Sequence, residues 1–186
     1  MFVFNGVQLR VLCLLLLLIG VGCLSLIVRA ASDSHSGSVT NALSKPEGRV
    51  VLTVTGSIGI TNGDGTAEFD RAMLQRKVQH DIRTQVPWLE GKYRFTGPLM
   101  RDLLSDLDAT GKSLRIRAMD GYSVVIPVSD FSRYNVILAI SRDGERMRVR
   151  DRGPTWIMYP FDAAPELKQE LYYRRSIWQI VSIEVF

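Results

Sequence analysis

The residues of this sequence that could do chemistry are arginines, aromatics and a few carboxylates. Arg142, Arg146, Arg148, Arg150 and Arg152 crowd one short stretch, and Arg146, Arg148 and Arg150 share one parity of a strand. Guanidinium groups set this closely hold an anion through bidentate hydrogen bonds. The same pattern also serves as a solvated edge strand whose charge discourages aggregation. Trp88, Tyr93, Tyr122, Trp156, Tyr159, Tyr172, Tyr173 and Trp178 join apolar rings to polar tips, which suits core packing first and the lining of a ligand groove second. The loop Asn62 to Glu68 places side-chain oxygens at alternating positions, as calcium prefers. It lacks the glycine and distal glutamate of an EF-hand and reads as a solvated turn. Asp102/Asp106 and Asp106/Asp108 fall on the polar face of a predicted helix and read as solvated carboxylates.

Several chemistries are excluded by what the chain lacks. No GxSxG elbow occurs, since Gly56-Ser57-Ile58-Gly59 has the wrong order, and no HExxH, GxGxxG or GxxxxGK appears. The two cysteines, Cys13 and Cys23, both lie in an apolar leader, and the two histidines are His35 and His80. After that leader there is no thiol for a disulfide framework, a cysteine-ligated metal or a cysteine nucleophile, and too little histidine for a multi-histidine site.

The elements that would position these residues can be read from pattern. Arg49 to Ile60 is a β-branched strand, and Ala67 to Gln79 carries Phe69, Met73, Leu74 and Val78 at helical spacing. Gln85 to Phe95 is irregular. Gly97-Pro98 opens a helix with Leu99, Met100, Leu103, Leu104 and Leu107 on one face, ended by Gly111. Beyond it the chain is strand-rich: Leu114, Ile116 and Ala118 alternate with arginines, Asp120-Gly121 turns into SVVIP, and Asp143-Gly144 turns into MRVR. Ser129 to Tyr134 makes a short helical turn, and Asn135 to Ile140 and Thr155 to Tyr159 are strands. A short helix runs from Pro165 to Leu171. The closing strand, Ile177 to Val185, carries Ile177, Gln179, Val181, Ile183 and Val185 on one parity. Many short strands with few helices predict an α+β domain around a mixed sheet.

With 186 residues, 46% of them hydrophobic, the chain can build one real core. Val11 to Val28 is an apolar run, followed by Val28-Arg29-Ala30 and a Ser-, Asn- and Gly-rich stretch with one proline. Small residues before a cut at Ala30 fit signal peptidase. The alternatives are retention as an N-terminal membrane anchor, since the run is long enough to span a bilayer, and lipidation at Cys23, which the residues before and after it fit poorly. Each reading places the rest outside the cytoplasm, periplasmic or secreted, with the membrane touched through the N-terminal segment. The organisation expected is a leader at 1–30, a flexible linker at 31–47 and one domain at 48–186. Losing the leader removes two arginines and no acid from a formal charge of +4, so little net charge remains to argue for nucleic acid.

Five motifs in order carry a family resemblance. Phe95-Thr96-Gly97-Pro98-Leu99 and the LMRDLL that Leu99 opens are similar to the W-x-G-v-x-L-x-x-L-L helix of the oxidoreductase molybdopterin-binding domain, the sulfite-oxidase fold. Ala118-Met119-Asp120-Gly121-Tyr122 with SVVIP resembles its A-x-D-G-Y hairpin. Asn135 to Ala139 with the Asp143-Gly144 turn, Arg152-Gly153-Pro154-Thr155-Trp156 with Ile157 to Pro160, and Ser176-Ile177-Trp178 before the last strand resemble its later segments. The resemblance covers residues 50–186 and implies a mixed β-sheet domain of the molybdopterin-binding type. In catalytic members a cysteine ahead of the stretch equivalent to Phe95–Leu104 ligates molybdenum. Here His80 to Tyr93 has no cysteine, and nothing nearby is as soft a ligand. The N-terminal part that wraps the pterin is short, and Trp156 stands where the family has an arginine. Arg174 keeps the family's basic position four residues before the final tryptophan, Trp178.

These departures point to an exported, non-catalytic member whose old cofactor groove binds a small anionic ligand or a protein partner, as input to a membrane sensor. Its candidate groove residues are Asp120, Tyr122, Arg150, Arg152, Trp156 and Arg174. No cofactor is expected, although the resemblance alone implies molybdopterin. Two rival readings remain: a molybdopterin-dependent periplasmic oxidoreductase, or a redox subunit of one, with a thiolate absent or supplied by a partner; and a structural interaction module binding through strand edges such as Arg146–Arg150.

Overall fold

Leu52 and Val54 leave one side of the first strand and Val51 and Thr53 the other, and this alternation of buried and half-buried residues sets the architecture. The computed structural model describes residues 43–186, so the leader and residues 31–42 of the expected linker lie outside the described residues. Residues 43–48 are held onto the domain. Leu43 packs against the core, and the backbone N–H groups of Glu47 and Gly48 donate to Asp70 Oδ2 at 2.9 and 2.8 Å.

The strand β1 (Val50–Gly56) pairs antiparallel with β2 (Ala67–Asp70) and parallel with the last strand, β11 (Ile180–Val185). Next come β5 (Ser113–Ala118) and β6 (Ser123–Pro127), giving a mixed five-stranded sheet of order β2-β1-β11-β5-β6. One face of it contributes Leu52, Val54, Phe69, Leu114, Ile116, Ile126, Ile183 and Val185 to a core shared with Met100, Leu103 and Leu104 of helix α2 (Met100–Asp106). A four-stranded antiparallel sheet runs β3 (His80–Gln85), β4 (Lys92–Gly97), β8 (Ser141–Arg142), β9 (Glu145–Arg146). A two-stranded ribbon pairs β7 (Ile137–Ala139) with β10 (Trp156–Met158). The remaining helices are short: α1 (Arg71–Arg76), α3 (Ser129–Arg133) and α4 (Glu170–Arg175). Mostly strands in three sheets with a few short helices, the domain is of the α+β class that the sequence predicts.

Five local expectations are corrected. Ala67 to Asp70 is strand rather than helix, because pairing with β1 outweighs the helical spacing; the helix starts at Arg71, with the Asp70 carboxylate capping Met73 N–H at 2.8 Å. Gln85 to Phe95 is not irregular throughout, since Lys92–Gly97 is a hairpin strand on β3 that buries Phe95 behind charged neighbours. The strand expected at Met147–Arg150 is a 3-10 turn, Val149–Asp151, so Arg146, Arg148 and Arg150 do not share a strand face. Pro165 opens a 3-10 turn, Pro165–Leu167, and the α-helix follows it at Glu170–Arg175. The closing strand also changes parity. A bulge between Ile180 and Ser182 turns Ile180 and Ile183 inward and leaves Val181 exposed.

Both tight turns form as read. Asp143 and Gly144 have φ of 50° and 82°, as a two-residue hairpin turn between β8 and β9 requires, and Gly121 has φ of 88° between β5 and β6. Gly97 is required for another reason. A Cβ there would stand 1.9 Å from the Leu138 carbonyl oxygen, so only glycine lets β4 pass this close to β7.

Candidate functional site

Aromatic side chains from distant parts of the chain meet beneath one groove. The β3–β4 loop brings Trp88, β10 brings Trp156, and the segment before β11 brings Trp178. Their ring centroids lie 6.0 Å (Trp88–Trp156), 5.2 Å (Trp88–Trp178) and 5.5 Å (Trp156–Trp178) apart. These are all three tryptophans of the chain. Phe95 closes the cluster below at 5.4 Å from Trp156, and Tyr173 of α4 closes it at the side, 5.9 Å from Trp88. Inclined ring pairs at these separations are attractive beyond their buried area. Trp156 is fully buried and its indole N–H donates to the Ser176 carbonyl at 2.9 Å, while Trp88 and Trp178 stay half-buried at the groove floor.

The groove has a volume of about 390 Å³, with walls from three elements. The β5–β6 turn supplies Ala118, Asp120 and Tyr122, α4 supplies Glu170, Tyr173 and Arg174, and Ser176 to Trp178 complete it. Asp120 lines the groove and folds its own turn, since its Oδ1 accepts from Tyr122 N–H at 2.9 Å. Tyr122 is half exposed, with its hydroxyl 3.5 Å from the Arg174 carbonyl, so the turn and the helix meet across the mouth. Arg174 Nε donates to Glu170 Oε1 at 2.9 Å one helical turn back, and its two Nη groups have no acceptor among the described residues.

Arg152 works from behind. Its backbone is left-handed, with φ of 67°, which turns the side chain back over the cluster. The guanidinium lies 5.3 Å from the Trp178 ring and 5.8 Å from Trp156, and donates to the Trp88 carbonyl at 3.3 Å. Gln179, also left-handed, donates to the Val149 carbonyl at 2.6 Å and accepts from Met119 N–H, tying the 3-10 turn to the β5–β6 turn.

Beneath α4 a buried polar network fixes the wall. Asp130 Oδ2 accepts from the Tyr159 hydroxyl at 2.7 Å and from Arg175 Nη1 at 2.8 Å. Burial, followed by the bond to Asp130, pushes the Tyr159 phenol well above its ordinary range, so it remains a donor at any physiological pH. Tyr134, hydrogen-bonded to Tyr172 at 3.5 Å, is pushed up to about 12 by that bond and then by burial.

Of the six residues proposed from the sequence, Asp120, Tyr122 and Arg174 line the groove, Trp156 is buried behind the floor tryptophans without lining it, and Arg152 braces the indoles. Arg150 is apart from them, exposed on the 3-10 turn beside Asp151 at 3.8 Å. The five-arginine stretch disperses: Arg142 stacks on Tyr93 at 5.1 Å, while Arg146 and Arg148 line a second concavity. Missing from the proposed set are Trp88, Glu170, Tyr173 and Trp178. The aromatics stood out by type, but nothing in their spacing showed that they converge.

Fold and site together define an α+β domain of three sheets with an aromatic-floored groove at the ends of its hairpins. In three dimensions it is similar to the sulfane dehydrogenase SoxCD from Paracoccus pantotrophus, with a TM-score of 0.53 and 16% sequence identity over 73% of this chain. The match covers 37% of that protein's chain, and at this identity the likeness is one of fold. The sequence matches no protein-family model, and no curated protein is significantly similar to it.

Proposed function

We propose that this is a non-catalytic binding domain of the sulfite-oxidase type, acting outside the cytoplasm, whose groove holds one small molecule with a flat body and an anionic head. The observation that carries the reading is the convergence of all three tryptophans under a groove whose mouth carries an arginine with unused donors. A flat ligand would gain stacking and apolar burial against Trp88 and Trp178. The Nη groups of Arg174 would take its carboxylate or equivalent, and Asp120 would accept one hydrogen bond.

The residues present do not fit a molybdenum centre. Residues 43–186 contain no cysteine, and among the described residues no group of three His, Cys, Asp or Glu side chains could hold a metal ion. The acids at the groove, Asp120 and Glu170, are hard ligands that would add negative charge beside an already anionic dithiolene and phosphate. No reaction step is therefore assigned.

Because Trp88 and Trp178 form the floor, with Trp156 packed behind them, tryptophan fluorescence reports occupancy directly. Titration with benzoate and nicotinate, with benzamide and nicotinamide as neutral matches, should quench emission saturably for the acids. Arg174→Ala should abolish that preference. Stoichiometric molybdenum in protein purified from a host that makes the cofactor would overturn the reading.

A further inference from the structure

We propose that the second concavity, whose lining includes the two residues that Gln179 bonds, Met119 and Val149, is a face that docks on an anionic phospholipid bilayer. Four of the nine large hydrophobic side chains exposed on the described residues gather there: Val50 is 37% exposed, Met119 49%, Val149 48% and Val181 38%. They come from β1, the β5–β6 turn, the 3-10 turn and the bulge of β11, four places with no common sequence signal. Such a concentration on so small a domain marks an interaction surface rather than scattered exposure.

The charge around the patch says which surface. Arg49, Arg146 and Arg148 line the same concavity, and none of them forms an ion pair with another described residue. Glu145 is the one acid lining it. Further in, Arg71 donates to the Ile140 carbonyl at 3.0 Å, and its guanidinium pKa is pushed down by burial and then by the nearby Arg146. Apolar tips ringed by guanidinium groups match the boundary between acyl chains and phosphates, where valine and methionine enter the hydrocarbon edge and arginines take phosphate oxygens in pairs. A second copy of the chain would set arginine against arginine across a two-fold contact, which like-charge repulsion opposes.

The sequence delivers this face to a bilayer. About 20 residues separate the apolar run ending at Val28 from Arg49, and Arg49 and Val50 are themselves part of the patch. The chain joins the domain at Leu43 and reaches the patch six residues later. The leader supplies only proximity. The patch supplies the contact, so the contact should be measurable without the leader.

The hydrophobic core closes within the described residues, so residues 43–186 can be tested alone. They should co-sediment with mixed phosphatidylglycerol–phosphatidylcholine vesicles and not with pure phosphatidylcholine, and binding should weaken as salt rises. Arg146→Gln with Arg148→Gln should weaken it about 25-fold, roughly five-fold for each guanidinium removed near the surface. Val149→Ser with Val181→Ser should remove the part that survives high salt, while Val78→Ser with Val125→Ser, exposed valines elsewhere, should change nothing. Circular dichroism checks that each variant folds. Equal sedimentation with neutral and anionic vesicles, no sedimentation with either, or concentration-dependent dimers that Arg146→Gln strengthens would each overturn the proposal.

Discussion

Replacing Asp130 by alanine would remove the one acceptor that serves both Tyr159 and Arg175. One carboxylate oxygen takes the Tyr159 hydroxyl at 2.7 Å and the Arg175 guanidinium at 2.8 Å, and the three side chains are largely shielded from water. Without it a fully buried hydroxyl loses its partner and a mostly buried cation loses its counter-charge. Breaking a buried pair by deleting one member costs about 3–5 kcal/mol. Tyr159→Phe removes the hydroxyl and leaves the ion pair, so its cost should be near 1 kcal/mol. For a domain of this size the Asp130 loss corresponds to a fall in Tm of about 10–16 °C. Urea unfolding followed by tryptophan emission measures both variants, and the double variant completes the cycle. Because Tyr159 has nothing further to lose once Asp130 is gone, the double variant should be no less stable than Asp130→Ala alone. A loss below about 1 kcal/mol for Asp130→Ala, or strict additivity in the cycle, would refute the view that this network fixes α4.

Three other outcomes follow from single features. Hydrogen bonds from Met73 and Gly48, with a smaller one from Glu47, hold the Asp70 carboxyl below its ordinary range; its folded pKa is thus lower than its unfolded one, and the stability it gives is present above the unfolded value and lost as pH falls toward the folded one. Asp70→Asn should therefore flatten acid unfolding at the low-pH end, as followed by circular dichroism. Asp162 is held at about 2, first by Lys92 at 2.9 Å and then by Lys168 at 3.0 Å, so Lys92→Met should raise its NMR titration midpoint toward the usual carboxylate range. Gly97→Ala drives a methyl group into the Leu138 carbonyl and should cost about 3 kcal/mol in denaturant unfolding, where Gly65→Ala, at a left-handed but open position, should cost less.

The strands legible in the sequence are those with apolar or β-branched inward residues: β1, the β5–β6 hairpin with its Asp-Gly turn, β7, β10 and β11. Those that were missed owe their form to partners elsewhere. Lys92–Gly97 has four basic or hydroxyl residues among six and becomes a strand because β3 lies beside it. The alternation of Ile177, Gln179, Val181, Ile183 and Val185 puts Val181 on the inner parity, and a single bulge turns it to the surface. At the groove, Asp120, Tyr122 and Arg174 could be picked out by type and motif position. Trp88 and Trp178 could not, because they lie ninety positions apart in the chain, with most of the domain's elements between them, while 5.2 Å separates their rings. Arg150 failed to join them for a local reason: the 3-10 turn rotates it to solvent, whereas left-handed Arg152 is turned inward.

The middle position of the five-stranded sheet belongs to the strand that comes last. Until Ile180–Val185 is in place, β1 with β2 and β5 with β6 are two separate hairpins that share no hydrogen bonds. Any process that presents the chain from its N-terminus, whether synthesis or threading through a narrow passage, must therefore hold an incomplete sheet with two open edges until the final segment arrives. Premature closure is blocked by the order of the strands themselves, and a chain cut short before Ile180 would lack the strand that hydrogen-bonds the two hairpins into one sheet.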